Sequence, residues 1–405
     1  MAFHFSFISK ISDISSAQWQ ALAQNAGPFL QHGFLSLLES TECVGEATGW
    51  QPMHLIIYDD NVPIAAMPGY IKYDSYGEYV FDHSWANAYH QYGYSYYPKW
   101  ISAIPFTPVT GPRLLLADHV KEDVVRTYAA QAIDTLAQQN ISSAHILFPP
   151  LKCAGAAVTA GYLKRVNVQF QWHNYDYQHF DDFLAALTSR KRKALRKSRQ
   201  QLSAANVTIK RYTGADISAP EQDFFYLCYQ QTYLKRSGHN GYLSEGFFKG
   251  LFATMAENML LVVAYQDENP VASALFLYDA TGLYGRYWGS LVEIDGLHFE
   301  CCYFQGIEFA IEKKQPLFNP GTQGEHKILR GFEPIYCVSF HKLFAPAFHH
   351  AVSNFLYQET PAMVEYYHQA AEVLPFNNTF LPNLKTMKTP DVHMDNRETK
   401  QRNDK

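Results

Sequence analysis

What most restricts this 405-residue chain is that one order of elements occurs in it twice. In the first half an apolar helical stretch, Phe29 to Leu38, precedes His54-Leu55-Ile56-Ile57-Tyr58. The polar residues Asp59-Asp60-Asn61 follow, and then a second apolar run from Val62 to Tyr73. About 208 residues later the order returns. Gly246-Phe247-Phe248-Lys249-Gly250-Leu251 opens a helix, and Leu260 to Tyr265 reads as a strand. Asp267-Glu268-Asn269 is the turn and Pro270 to Tyr278 the partner strand. Apolar run, turn residues, apolar run is the signature of a hairpin. The same register carries Tyr76-Gly77-x-Tyr79 onto Tyr284-Gly285-x-Tyr287, so both are expected in a further strand. A helix and strand then follow in each copy, Val120 to Gln139 with Ser143 to Phe148, and Leu297 to Lys314 with Pro316 to Asn319. Duplicated units of mixed helices and strands predict two layered domains of the α/β (α+β) class.

The expected boundaries are 1–175 for the first domain and 176–345 for the second, which includes a basic helix at 181–202. A C-terminal helical segment at 346–384 and a disordered tail at 385–405 complete the chain. Aromatic residues make up 15% and charged residues 18%, the composition of a chain that buries large cores rather than a disordered one. The net charge of −5 excludes a general nucleic-acid-binding polycation, and no DNA partner is expected. The six cysteines show no CxxC pair, which predicts buried thiols and no metal site. No apolar run approaches the length of a membrane span, and Met1-Ala2-Phe3-His4-Phe5 lacks the pattern of a signal peptide. A cytoplasmic location is the expectation.

One segment breaks the acidic trend. Arg190, Lys191, Arg192, Lys193, Arg196, Lys197 and Arg199 carry seven positive charges with no acid between them. Without them the rest of the chain stands at −12 rather than −5. Leu184, Leu187, Ala194, Leu195 and Leu202 form one apolar stripe, so a single helix over Asp181 to Leu202 is predicted. Its polar faces are either solvated or a polyanion site, for which Arg190, Arg192, Lys193 and Arg196 are the candidates.

The chemistry is expected in the second copy. Alternation along Leu283 to Trp288 puts Tyr284, Arg286 and Trp288 on one face, with Tyr287 beside them. His298 and Glu300 fall in the first turn of the next helix. Glu300 lies on that helix's buried stripe, which implies either an arginine bridge or a base with a raised pKa. Gly321 to Gly331 then gathers Gln323, Glu325, His326, Lys327 and Arg330 between glycines. Candidate catalytic residues are Glu325, His326, Lys327, Glu300 and His298. Candidate substrate-binding residues are Tyr284, Arg286, Tyr287, Gln323 and Arg330. The counterpart in the first copy, near Phe148-Pro149-Pro150-Leu151-Lys152, lacks the Glu-His-Lys group, so the first copy is expected to shape or recognise substrate. No GxSxG, GxGxxG or Walker loop is present, against hydrolase, dinucleotide-binding or P-loop chemistry.

Three motifs of the second half, Tyr284-Gly285-Arg286-Tyr287-Trp288-Gly289, Leu297-His298-Phe299-Glu300 and Gly324-Glu325-His326-Lys327-Ile328-x-Arg330-Gly331-Phe332, resemble the bacterial FemAB-like predicted N-acyltransferases. So do Gly49-Trp50-Gln51-Pro52, Tyr76 to Asp82 and Pro105 to Arg113 in the first half. These proteins are also labelled peptidoglycan biosynthesis/recognition. The resemblance implies tandem GNAT-like domains and acyl or aminoacyl transfer to an amine or hydroxyl, on a peptidoglycan-type precursor. It implies a donor that is acyl-CoA or aminoacyl-tRNA and not a tightly bound cofactor. The acceptor is a small molecule or a lipid-linked precursor. The chain has no good Gln/Arg-x-x-Gly-x-Gly/Ala loop for CoA. In this reading Glu325, His326 or Glu300 takes the nucleophile's proton, and Arg286, Lys327 or Arg330 holds the anionic donor or the oxyanion. The alternatives are non-catalytic recognition of a cell-wall precursor or glycan, and RNA binding through the basic helix alone.

Overall fold

A computed structural model of the chain describes residues 3–322, 324–381, 384 and 385. The predicted site residue Gln323 lies outside the described residues, as does the predicted tail apart from Lys385. The chain divides into two units. One comprises the residues up to Val168 together with Tyr336–Tyr367; the other comprises Gln169–Ile335 with His368–Lys388.

The first half of the chain forms β1 (Phe3–Ile8), α1 (Ser16–Leu22), α2 (His32–Ser40), β2 (Trp50–Pro52), β3 (His54–Asp59), β4 (Val62–Met67) and β5 (Tyr70–Lys72). It continues with α3 (His83–Gln91), β6 (Lys99–Ser102), β7 (Leu115–Leu116), α4 (Glu122–Asp134), β8 (Ser143–Leu147), α5 (Ala154–Thr159) and β9 (Leu163–His173). The second half forms α6 (Phe180–Ala186), α7 (Ser189–Ala204), β10 (Val207–Thr213), α8 (Ala219–Ser237), α9 (Glu245–Met255), β11 (Met259–Gln266), β12 (Asn269–Asp279) and β13 (Gly282–Ser290). Then come α10 (Leu297–Phe299), α11 (Gln305–Glu312), β14 (Leu317–Asn319), β15 (Glu333–Leu343) and α12 (Pro346–Glu372). Among the described residues no helix is long and apolar enough to cross a membrane.

In the first unit an antiparallel sheet runs β1-β3-β4-β7, and a second runs β15-β8-β6-β5-β2 with β6 and β8 parallel. Its core is aliphatic: Leu55, Ile57, Ile64, Val125, Ile133 and Leu136 are all buried around Trp100. In the second unit the order is β10-β11-β12-β13-β14-β9, with β13 and β14 parallel and the other neighbours antiparallel.

The two predicted hairpins form, and their pairing reveals the repeat more sharply than the sequence does. In β3–β4 Tyr58 faces Pro63, with a register shift between Ile57 and Tyr58. In β11–β12 Tyr265 faces Pro270, with the same shift between Ala264 and Tyr265. The two-residue loops are Asp60-Asn61 and Asp267-Glu268, so the hairpins correspond one residue away from the register expected above. A shared bulge at a shared Tyr–Pro pair is a local irregularity that two unrelated hairpins would not be expected to adopt together.

Other expectations change. Tyr76 to Phe81 is a loop, with Gly77 at φ 77° and Tyr79 at φ 60°, and not a strand. The place beside β4 that β13 takes beside β12 belongs instead to β7. The single basic helix is broken in two, because Leu187 and Thr188 are extended between α6 and α7. Leu187 there forms an isolated bridge to Phe376.

β13 carries a bulge as well. Phe276 pairs with Gly285 and Leu275 with Tyr287, which leaves Arg286 as the extra residue. Tyr284 therefore pairs with Leu277 and Trp288 with Ala274, three residues apart on β12, so Tyr284 and Trp288 lie on opposite faces. This corrects the alternation expected from the sequence. The face holding Tyr287 packs on α8 and α9, where its ring meets Tyr229 at 5.3 Å and Phe248 at 5.5 Å. Gly289 is required on that face, since a Cβ there would stand 1.9 Å from the Cys228 carbonyl oxygen. The opposite face carries α10 and α11, with Trp288 against His298 and Tyr278 against Phe309.

Candidate functional site

The stretch from Gly324 to Gly331 is a short 3₁₀ helix, Glu325–Arg330, between two glycines at φ 105° and 85°. Glycine adopts such angles without strain, and the tight turn they permit directs some of its side chains inward and others outward. Lys327 and Ile328 point inward, whereas Glu325, His326 and Leu329 are exposed. Side chains three apart eclipse in a 3₁₀ helix, which places Lys327 and Arg330 on a common side.

Lys327 is 1% exposed, and its Nζ donates to the Gly321 carbonyl at 2.5 Å. No carboxylate pairs with it among the described residues. Burial brings its pKa down to about 7, partly offset by the neighbouring Cys302 thiol. An ammonium without a counter-charge is poorly solvated there, so the neutral amine gains.

The facing helix supplies the rest. α10 and α11 are joined by a π-helical turn, Glu300–Phe304. On a regular α-helix residues five apart lie about 140° from each other. The π turn brings His298 and Tyr303 together, with their rings 5.4 Å apart. Such single π turns occur frequently at functional sites. The Tyr303 hydroxyl and His326 Nε2 are hydrogen-bonded at 2.7 Å. The His298 and His326 rings are 5.8 Å apart, and Trp288 closes the group at 5.4 Å from His298. Arg330 stacks its guanidinium 3.2 Å from the centre of the Phe299 ring and donates to the His326 carbonyl at 2.6 Å.

These basic groups lower one another's proton affinity. His298 falls to about 4, first through burial and then through His326, Arg236, Arg330 and Lys327. His326 and Arg330 are also lowered, with burial the leading cause for each. Lys191 of α7 is lowered by burial, Arg190 and Arg330, which brings the start of the basic helix into the same electrostatic neighbourhood. The result is a patch with two neutral imidazoles, a lysine balanced between its two forms and a permanently charged arginine.

Of the sequence candidates, His298, His326, Lys327 and Arg330 thus converge. Glu325 is exposed beside them. Glu300 is 5% exposed and takes two bonds from Arg199, Nε to Oε2 and Nη2 to Oε1, both 2.9 Å, with a third from Gln305. Arg199 also binds Glu308 at 2.7 Å. The arginine bridge foreseen as one reading of Glu300 therefore exists, with Arg199 of α7 as its partner. Arg199 is accordingly turned away from any polyanion. Arg190, Lys193 and Arg196 are exposed and Arg192 partly so, Arg196 lying 3.3 Å from Asp181. Tyr287 is packed among the aromatics of α8 and α9, and the Tyr284 hydroxyl is held by Thr281 at 2.7 Å. Arg286, on the bulge, lies over the Tyr287 ring. Sequence reasoning missed Tyr303, Phe299 and Cys302. The His298-to-Tyr303 spacing has no meaning until the π turn is known.

A family model described as FemAB-like, peptidoglycan biosynthesis/recognition, matches residues 10–378. No protein of curated function matches the chain. Among solved structures, FemX is similar at 10% identity and TM-score 0.52, covering 87% of this chain and all of that one. The C-terminal domain of a putative lysylphosphatidylglycerol synthetase from Agrobacterium fabrum is similar at 10% identity and TM-score 0.51, covering 83% and 94%. At such identities these two likenesses speak for the fold, and they agree with the duplicated α/β architecture. The family model spans nine-tenths of the sequence and agrees with the motifs at Tyr284, Leu297 and Gly324: the chain belongs to the FemAB-like family of peptidoglycan biosynthesis/recognition proteins.

Proposed function

We propose that the protein is an acyltransferase that moves an acyl or aminoacyl group onto an amine of a peptidoglycan-type precursor, with its chemistry in the second unit. The family description supplies the substrate class. The observation that carries the reaction type is Lys327: a buried amine beside His326 and Arg330 with no described carboxylate to neutralise it. Three basic groups converging around a lysine with no described carboxylate partner suit an anionic donor and an oxyanion that develops during acyl transfer. His326, lowered and therefore neutral near pH 7, accepts the proton that the nucleophile sheds, held in orientation by Tyr303. Protonated Lys327, together with Arg330, stabilises the tetrahedral oxyanion. Transfer between two bound substrates proceeds by proximity and needs no covalent enzyme intermediate.

The exposed cations Arg190, Lys193 and Arg196, with the partly exposed Arg192, favour a polyanionic donor, aminoacyl-tRNA over acyl-CoA. The test is transfer from either donor to a soluble muramyl-peptide precursor by His326→Gln, Lys327→Met and Arg330→Gln, each checked for its fold. Each loses roughly a hundredfold or more in kcat, the scale of one base or one oxyanion donor. With aminoacyl-tRNA the rate also falls steeply with salt. Full activity in all three variants, or tight precursor binding without turnover by the unaltered protein, rejects the assignment.

A further inference from the structure

Two stretches of the first unit carry no Asp, Glu, Lys or Arg: His83 to Pro98 and Leu343 to Gln358, sixteen residues each. Charged residues are 18% of the chain, so about three would be expected in either stretch. The fold brings the two together. α3 lies along the start of α12, with Trp85 and Phe355 at 6.4 Å between ring centres and Tyr89 stacked on Phe348 at 3.7 Å. Val352 and Leu356 of α12 and Leu163 of β9 complete a small buried core beneath them.

The end of α3 extends this surface. Gly93 takes φ 75°, its amide donates to the His90 carbonyl at 3.0 Å, and the Tyr94 amide donates to the Tyr89 carbonyl at 2.9 Å. That is a Schellman cap, which a glycine in the left-handed region permits. It turns the chain back so that Tyr92 and Tyr94 both meet Phe348 edge-on, at 6.2 and 5.5 Å. Tyr92 is 75% exposed, Tyr94 62% and Phe355 41%. Gln91 and Ser95, next to these tyrosines in sequence, and Asn354, next to Phe355, are exposed as well. The charges that flank the two stretches are all paired. Asp82 bonds Lys99, Lys342 bonds Asp134, and Glu359 takes two bonds from Arg165, whose guanidinium lies 5.3 Å from the centre of the Trp85 ring. Two buried donors in the same seam, Trp85 Nε1 and the Tyr89 hydroxyl, have no acceptor among the described residues. An unpaired buried donor is costly, and an oxygen-rich ligand settling between the exposed rings supplies what they lack.

We infer that this surface binds an uncharged oligosaccharide, the glycan part of a peptidoglycan-type substrate. A pyranose has an apolar C–H face that packs on the negative face of an aromatic ring, and a rim of oxygens that pairs with amides and hydroxyls. Tyrosine offers such a platform at small entropic cost, since only two side-chain torsions are fixed. A surface without free cations gives no hold to the phosphates of a nucleic acid or to an anionic lipid. The choice of an N-acetylated sugar rests on the proposed peptidoglycan-type acceptor; the neutral ring platform does not.

The experiment is calorimetric titration of the full chain with chitotetraose, an uncharged N-acetylglucosamine oligomer, at low and high salt. One chitotetraose binds per chain, and salt leaves its affinity unchanged. Tyr92→Ala and Tyr94→Ala, both at exposed positions, each weaken it by roughly fivefold, the scale of one aromatic contact, with melting temperatures unchanged. The double variant weakens it further, and Lys327→Met binds it as the unaltered protein does. Absence of binding, or binding that the double tyrosine variant keeps, would overturn the inference. If Lys327→Met loses the sugar while the double tyrosine variant keeps it, the sugar sits in the second unit and the platform alone is rejected. Chitotetraose binding that depends on the tyrosines, in a protein that transfers nothing, keeps the platform and rejects only the transferase. Adherence to phosphatidylcholine vesicles, or a dimer in sedimentation, that Tyr92→Ala abolishes would assign the rings to lipid or to a second copy and likewise overturn it.

Discussion

Lys327 shows how a single residue sets stability and chemistry against each other. Its amine is protonated in the unfolded chain up to about 10.4 but only up to about 7 in the folded one. Between those values the unfolded state binds more protons, so this group's penalty on the fold is complete below pH 7 and fades as pH rises toward 10. Replacing the amine with an isosteric apolar group removes the penalty. Lys327→Met should therefore melt higher than the unaltered protein at pH 7, by an amount equivalent to roughly 2–4 kcal/mol. A residue kept for stability would behave in the opposite way, with a lower melting temperature in the variant. The cluster Gly324 to Gly331 was legible in the sequence as an unusual crowd of functional groups. Which of its members face inward was not, because that depends on two positive-φ glycines and a 3₁₀ turn that the residue types alone do not dictate.

At the scale of elements, the break between α6 and α7 and the π turn between α10 and α11 decide which charges are free. The break re-aims α7, and Arg199 reaches Glu300 and Glu308 instead of facing solvent with its neighbours. Glu300 is 5% exposed, so removing its partner strands a carboxylate in a poorly solvated place. Arg199→Ala should destabilise the protein by roughly 3 kcal/mol, seen as a lower denaturant midpoint. Arg196→Ala, at a bridge exposed on both sides, should leave that midpoint in place. The sequence told that Glu300 lies on a buried stripe and needs a partner. It did not tell which arginine, since the partner is 101 residues away and its direction follows from the helix break. Arg286 is the mirror case: alternation assigned it a face, and the bulge in β13 removed the basis for that assignment.

For the molecule as a whole, the repeat was the most legible feature. Hydrophobic run, turn and hydrophobic run survive duplication, and both hairpins keep the bulge and the Tyr–Pro pair. The match of Tyr76 to Tyr284 did not survive as structure, because the first copy uses that stretch as a loop tied down by buried lysines. Lys99 is fully buried and bonds Glu78 at 2.9 Å and Asp82 at 2.5 Å. The first unit has also buried a pair of imidazoles 196 residues apart, His145 and His341, whose Nδ1 atoms are 2.7 Å from each other. Burial is the main cause that lowers His145 to about 3, followed by Lys99, while Asp82 opposes; His341 is lowered well below its usual value for the same reason. Below pH 6.5 the unfolded chain takes up protons that the folded pair refuses, so stability falls as pH drops from 6.5 toward 3. Each histidine contributes up to about 1.4 kcal/mol per pH unit in that window. His145→Asn with His341→Asn should flatten this acid limb in denaturant titrations at pH 4 to 7. A limb unchanged by the double substitution would assign it to the carboxylates instead.

The central claim, acyl transfer with a neutral His326 and a protonated Lys327, is tested most directly by the pH dependence of the transfer rate. His326 must be free of its proton, which sets an acid limb below its ordinary value of about 6.5. Lys327 must carry its proton, which sets a basic limb near 7. The account predicts a narrow bell for kcat/KM in the unaltered protein. Lys327→Met should show a much lower rate with no basic limb. A rate that keeps rising through pH 8 in the unaltered protein, or a basic limb that persists in Lys327→Met, would contradict it.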